Sequence, residues 1–494
     1  MLDEMFISNG EIPFMKGFKP FALCIIYTFV LDELNKKSMK IKHFTLLATL
    51  FTIISCSPKQ DSEVISDIFK TAQSDTTSYH TLRVLSSDYG NRLAGTPISV
   101  EAIHFMKKVM DGSNFDTVYL QECKVAHWYR GENEQGYAIS KNSEKRRLVV
   151  CTLGNSVGTP TEGIYAEVVA VNSFDELSAL GDKVKGKIVY FNKIMDQSKI
   201  NSFEAYGEVV GFRFAGASVA ARYGAIAVLV RSCTTAIVTF PHTGVMRYFE
   251  TPKEIPAFSI STVHANLLDQ MLVDDLKLKV SLKSDCKFLP EETSYNIIGE
   301  VRGTEFPKEY ITVGGHIDSW DNTDGSHDDG GGCVQSIDVW RIFHELGYNP
   351  KHTLRVVMFI DEEMNQRGGR KYAELAKQNN EKHLFALESD GGCDRPIGFS
   401  FETDSISFIK VQVYSKLFEP YSSNRFVNGG SGVDIGFLKD QNVVLAEMMA
   451  DPTHYFDYHH SGYDTFDKIN KTSLQQGSAV MASLIYLVDK YSLK

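Results

Sequence analysis

At 494 residues the chain is too long for one ordinary core, so two domains are the default. Its 43% hydrophobic and 23% charged content is that of a soluble globular protein. The net charge of −11, with no basic patch, argues against a nucleic-acid partner, because phosphate binding needs clustered Lys and Arg.

The first residues are a different material. An apolar run at 21–31 is followed by Asp32 and Glu33. From Met39 a second segment begins with basic Lys40 and Lys42. It continues with an apolar stretch at 44–54, too short to span a bilayer comfortably, and ends in Ile-Ile-Ser-Cys at Cys56. This order resembles a bacterial lipoprotein signal (39–56), in which Cys56 is lipidated and becomes the mature N-terminus. The polar stretch 57–63 reads as a tether. Two consecutive export signals make little sense, so residues 1–38 are read as an extension outside the working protein; an N-terminal transmembrane anchor is the alternative. The expected product is exported and held to a membrane only through Cys56, facing periplasm or exterior.

Two of the eight cysteines, Cys24 and Cys56, lie in this segment. Cys123, Cys151, Cys233, Cys286, Cys333 and Cys393 are scattered, with no CxxC pair, so neither a zinc ribbon nor a thioredoxin site is expected. Export would permit disulfides, but spacing does not pair them.

Residues 57–150 form the first part of the main domain. Val64, Ile65, Ile68 and Phe69 make one helical stripe, and Ile103, Phe105, Met106 and Val109 another. The loop Gly90-Asn91-Arg92-Leu93-Ala94-Gly95-Thr96-Pro97 separates them, and 117–127 alternate like a strand. Over 151–285 the texture changes to short β-rich runs at 164–171, 187–191, 225–230 and 257–260, with one helix near 215–223. No group of metal-type ligands occurs there, and the stretch reads as a separate, mostly-β insert. Residues 286–494 alternate strands and helices, which predicts an α/β fold with a central sheet flanked by helices. Strands are expected at 310–314, 354–360, 384–387 and 443–447, and helices at 331–346 and 472–491.

Candidate ligands sit at the ends of these elements, where α/β sheets present active groups. His316 and Asp318 follow the first strand, and a shared strand face would let Asp318 hydrogen-bond the far nitrogen of His316. Asp328-Asp329-Gly330-Gly331-Gly332 opens the next helix. Glu362-Glu363 follows a buried run, where adjacent carboxylates repel unless a cation or proton relieves them. Asp390 follows the third strand, and His459-His460 precede Ser461-Gly462-Tyr463-Asp464-Thr465. Each station alone has an ordinary reading as a cap or a solvated turn. Together they offer two histidines and three carboxylates, with Glu362 left over as a base. Two ions about 3.5–4 Å apart need such a set, with one bridging carboxylate.

The pattern HxD, DDGGG, EE, SDGG and HHxxxDT resembles the M28 family of di-zinc exopeptidases. GNRLAGTP at 90–97, HWYRG at 127–131 and HIDSWD at 316–321 are similar to its plasma glutamate carboxypeptidase (carboxypeptidase Q) branch, and the insert is similar to a protease-associated (PA) domain. The resemblance covers about 65–494. It implies two Zn2+ per chain: His316 and Asp390 on one, Glu363 and His460 on the other, Asp328 bridging. It implies Glu362 as general base toward a water shared by the ions, Asp318 orienting His316, and a cis Asp328–Asp329 bond. Many members carry Tyr before the last metal histidine, where it helps to hold the oxyanion; here that residue is His459. The implied partner is a small peptide, either a dipeptide or a short peptide with a free α-amine, and a homodimer is a family expectation. A non-catalytic receptor using the PA-like insert is the alternative from another class, and a single-zinc cyclase on the same scaffold is a third. The complete ligand set disfavours both.

Overall fold

The computed structural model describes residues 59–493. The extension at 1–38, the signal at 39–56 and Cys56 lie outside them. In chain order the strands are β1 (Thr117–Tyr129), β2 (Gln135–Ile139), β3 (Lys145–Leu148), β4 (Val150–Thr152), β5 (Ile164–Val171), β6 (Ile188–Phe191), β7 (Ala227–Arg231) and β8 (Ala257–Ile260). They continue with β9 (Lys279–Lys283), β10 (Lys287–Val301), β11 (Phe306–His316), β12 (His352–Phe359), β13 (Lys382–Glu388), β14 (Pro396–Glu402), β15 (Arg425–Asn428) and β16 (Val444–Ala450).

These strands form two eight-stranded sheets inside one compact unit, Gln60–Lys494. The first runs β1-β10-β12-β11-β13-β16-β14-β15. Its middle four strands, β12, β11, β13 and β16, are mutually parallel. Both faces are covered, and successive residues serve opposite layers, as a two-residue period requires. Val356 and Met358 of β12 join the core beneath the helices Asp61–Ser74, Gly331–Leu346 and Lys471–Tyr491. Val357 and Phe359 join the opposite core, with Tyr372 and Ala373 of the helix Arg367–Gln378.

The connections place the site. From β11 the chain crosses through Gly331–Leu346 to β12 on one side. From β12 it crosses through Arg367–Gln378 to β13 on the other side of β11. The carboxyl end of β11 is therefore a switch point, where a crevice opens in a sheet of this kind. The helix Gly331–Leu346 stops at Gly347, whose φ of 67° is the left-handed cap that ends many helices.

The second sheet runs β3-β2-β9-β5-β6-β7-β8-β4. Strands β2 and β3 pair into it although they precede residue 151, so it begins earlier than the change of texture suggests. Strands β5 to β8 are parallel. Parallel neighbours need crossovers, here including the helices Phe174–Leu180 and Val210–Arg222, so the region holds more helix than its β-rich runs announce. The six described cysteines are buried and unpaired. Among the described residues no helix is long and apolar enough to cross a membrane.

Candidate metal centre

His316 is the last residue of β11 and fully buried. Its Nδ1 donates to the backbone carbonyl of Asp318 at 3.0 Å. The expected bond to the Asp318 carboxylate is not made, since that oxygen stands 3.9 Å away. The strand ends at His316, two residues short of Asp318, so the shared-face geometry does not reach it. The Asp318 carboxylate instead accepts the Glu362 N–H at 3.2 Å and fixes the turn after β12. With Nδ1 carrying the proton, His316 Nε2 has a free lone pair. It lies 3.2 Å from Asp328 Oδ1 and 3.2 Å from Asp390 Oδ1.

The turn before Gly331–Leu346 shapes the two aspartates. Their peptide bond is cis, as the resemblance implies. Asp464, from the HHxxxDT segment, accepts the N–H groups of His327 at 2.6 Å and Asp328 at 3.1 Å. Asp329 is also consumed by backbone: its carboxylate accepts the His316 N–H at 3.0 Å and the Gly332 N–H at 2.9 Å. A methyl on Gly315 or Gly332 would overlap that carboxylate, which is why glycine stands at both places. Asp328 is left to face the crevice.

A second pole forms around the other oxygen of Asp328. His460 Nε2 lies 3.4 Å from Asp328 Oδ2 and 3.1 Å from Glu363 Oε2. His460 sits at φ 59°, an uncommon backbone state for a side chain of its size. His459 is stacked on it, ring centroids 3.5 Å apart, with Nε2 3.8 Å from Asp328 Oδ2. His460 is thus nearer to both carboxylates than its neighbour.

Potential ligand atoms converge within 4.8 Å in two groups, Asp328 with His459 and His460, and His316 with Asp329 and Asp390. Asp329 is the member whose oxygens are already spoken for. The donor set fits a cation. Burial pushes the Glu363 and Glu362 carboxyls well above their usual range, and neighbouring acids add to the effect. Burial also pushes His460 well down, helped by His459. Asp328 Oδ2 and Glu363 Oε1 are buried without a hydrogen-bond partner among the described residues. Imidazole and carboxylate oxygen are ligands that zinc takes.

The GNRLAGTP loop has a structural task that its sequence did not reveal. Arg92 is fully buried and donates to Ile317 O at 2.5 Å, Asp324 O at 2.6 Å and Gly325 O at 2.8 Å. It ties the segment after His316 to the turn before Asp328. Arg92→Lys leaves acceptors unpaired, each costing about 1–3 kcal/mol. A loss of at least ~2 kcal/mol in denaturant unfolding is expected; an unchanged midpoint would contradict this role.

Three residues absent from the sequence reading reach the centre from the second-sheet region. Arg213 Nη1 lies 3.3 Å from His460 Nδ1. His242 Nδ1 donates to His459 O at 2.7 Å, and the Thr243 N–H to His460 O at 2.8 Å. They lie more than two hundred positions from the histidines they hold, and no local motif marks them.

Residues 296–485 match peptidase family M28. Carboxypeptidase Q of Xenopus laevis is 34% identical over 432 residues, covering 87% of this chain and 90% of that protein. Carboxypeptidase Q of Homo sapiens is 32% identical over 436 residues, 88% and 90% of the two chains. The crystal structure of a peptidase M28 precursor from Shewanella amazonensis superposes with a TM-score of 0.82 at 32% identity, covering 87% of this chain and 96% of that one. The zinc aminopeptidase BSAP of Bacillus subtilis shares the fold, with a TM-score of 0.62 at 18% identity. Relatives of this identity and reach establish that the chain belongs to peptidase family M28 and is a zinc-dependent exopeptidase.

Proposed function

We propose that this exopeptidase holds two zinc ions and hydrolyses dipeptides or short peptides with a free α-amine. One observation carries the reading: the two oxygens of Asp328 face separate partners, His316 with Asp390 and His460 with Glu363. In this reading Asp328 bridges, and the other four residues complete the two sites. Zinc supplies Lewis acidity, polarising a carbonyl and acidifying water.

The remaining chemistry belongs to Glu362. Its backbone is fixed on both sides, by the N–H bond to Asp318 and by Gln366 Nε2 donating to its carbonyl at 3.3 Å. Its partly buried carboxylate makes no hydrogen bond among the described residues. In this reading it takes the proton of the attacking water and returns it to the departing amine. His459 stands beside the second pole, where a developing oxyanion can accept its ring N–H.

The test is turnover of a dipeptide panel with free and blocked termini, before and after chelation. Free-amine dipeptides should be cut, chelation should abolish cutting, and zinc should restore it. Equal turnover of α-amine-blocked peptides would reject the substrate class. Export and a lipid on Cys56 belong to the same proposal. Mass spectrometry of the mature N-terminus should find acylated Cys56, and an unmodified mature chain retaining residues 39–56 would reject it.

A further inference from the structure

We propose that Glu447 reads the side chain of the substrate's amino-terminal residue and selects lysine or arginine there. The assignment rests on the peptidase reading above and adds a specificity to it. Glu447 lies on β16, opposite Glu388 of β13, and belongs to neither pole. Among the described residues its carboxylate has no hydrogen bond and no ion pair; burial pushes the carboxyl up to about 7, and Asp390 adds to the effect. It opens onto a cavity of about 360 Å³ walled by Phe203, Ile397, Val427 and Met449. Two contacts put this cavity beside the first pole. Gly391 lines it and follows Asp390 directly, and a methyl on Gly391 would stand 3.9 Å from Glu447 Oε1. Phe203 stacks on Tyr455, ring centroids 5.3 Å apart, and the Tyr455 hydroxyl donates to Asp390 O at 3.3 Å.

The two sides of the centre differ in charge, and this sets the direction of the peptide. Asp390, Glu388 and Glu447 act on one another at the first pole, whereas Arg213 stands at the second, beside His460. The α-amine of the substrate therefore belongs on the first side. A carbonyl held between the poles then puts the residue that carries the amine next to Asp390, with its side chain at Gly391 and the cavity. A side chain entering there meets an apolar wall and, beyond it, a lone acid. Leucine would fill the wall and strand the carboxylate away from water, at a cost. Lysine and arginine satisfy both parts, with a methylene stem for the wall and a cation for Glu447.

The experiment uses the full zinc-loaded enzyme and two dipeptides, Lys-Ala and norleucine-Ala. Both carry a free α-amine and a straight aliphatic stem, and only the first has a charged head. The wild type should show a kcat/KM roughly 10- to 100-fold higher on Lys-Ala, the range of a charge-assisted hydrogen bond. In Glu447→Gln the ratio of the two values should fall to about one, with the loss on Lys-Ala and mainly in KM. A wild type that cuts norleucine-Ala as well as Lys-Ala, or better, would overturn the proposal without needing a variant and would leave the peptidase reading intact. An equal fall on both dipeptides in Glu447→Gln would also overturn it and give the carboxylate to the α-amine. Failure of the zinc-loaded wild type to cut either dipeptide would reject the underlying reading, and this assignment with it.

Discussion

Glu362→Gln is expected to lower turnover by about 10²–10⁴-fold while fold and zinc content stay as in the wild type. The substitution keeps the side-chain volume and removes the group that accepts a proton. Nothing structural depends on that carboxylate, because Asp318 and Gln366 hold the turn through backbone atoms. The five residues around the two poles are untouched. Circular dichroism, zinc content and dipeptide turnover check the three parts separately. Near-normal turnover would remove Glu362 from the mechanism, and lost zinc with lost activity would make it a ligand.

Asp328→Asn should act at both poles at once. An amide keeps the shape, but its NH2 must face either His316 and Asp390 or His460 and Glu363, where the partners offer lone pairs. Zinc affinity should fall by more than the ~10–100-fold that losing an outer-shell partner costs. Turnover should fall with it at limiting zinc. The backbone should hold, since Asp464 grips the N–H groups of His327 and Asp328 rather than the Asp328 side chain. A variant that retains both ions and normal turnover would show that Asp328 does not bridge.

The catalytic sheet was legible because its strands are apolar runs that stop abruptly at acids or histidine. Strand β12 is buried throughout and ends three residues before Glu362, and β13 ends two residues before Asp390. Two other features escape such a reading for one reason, that local pattern does not report pairing. Strand periodicity gives Asp318 to His316, yet the strand ends at His316 and the side chain turns to Glu362. By texture β2 and β3 go with the first domain, yet β2 pairs with β9, more than a hundred residues downstream, and carries β3 with it.

What the sequence concealed is the support of the site. Arg92 bonds carbonyls more than two hundred residues away, and Arg213, His242 and Thr243 meet the histidine pair across a similar distance. Such groups carry no spacing signal, because their targets are mostly backbone oxygens. The preference for Glu363 and His460 over their neighbours came from the resemblance. The distances around Asp328 are consistent with it, since His459 stands farther from Asp328 Oδ2 than His460 does.

The most direct measurement is the zinc content of the purified full chain by elemental mass spectrometry, with protein concentration set by amino-acid analysis. Two poles sharing one carboxylate predict about two ions per chain, both lost on chelation and both regained on adding zinc together with activity. A fully active enzyme holding a single zinc, or none, would contradict the bridged arrangement around Asp328.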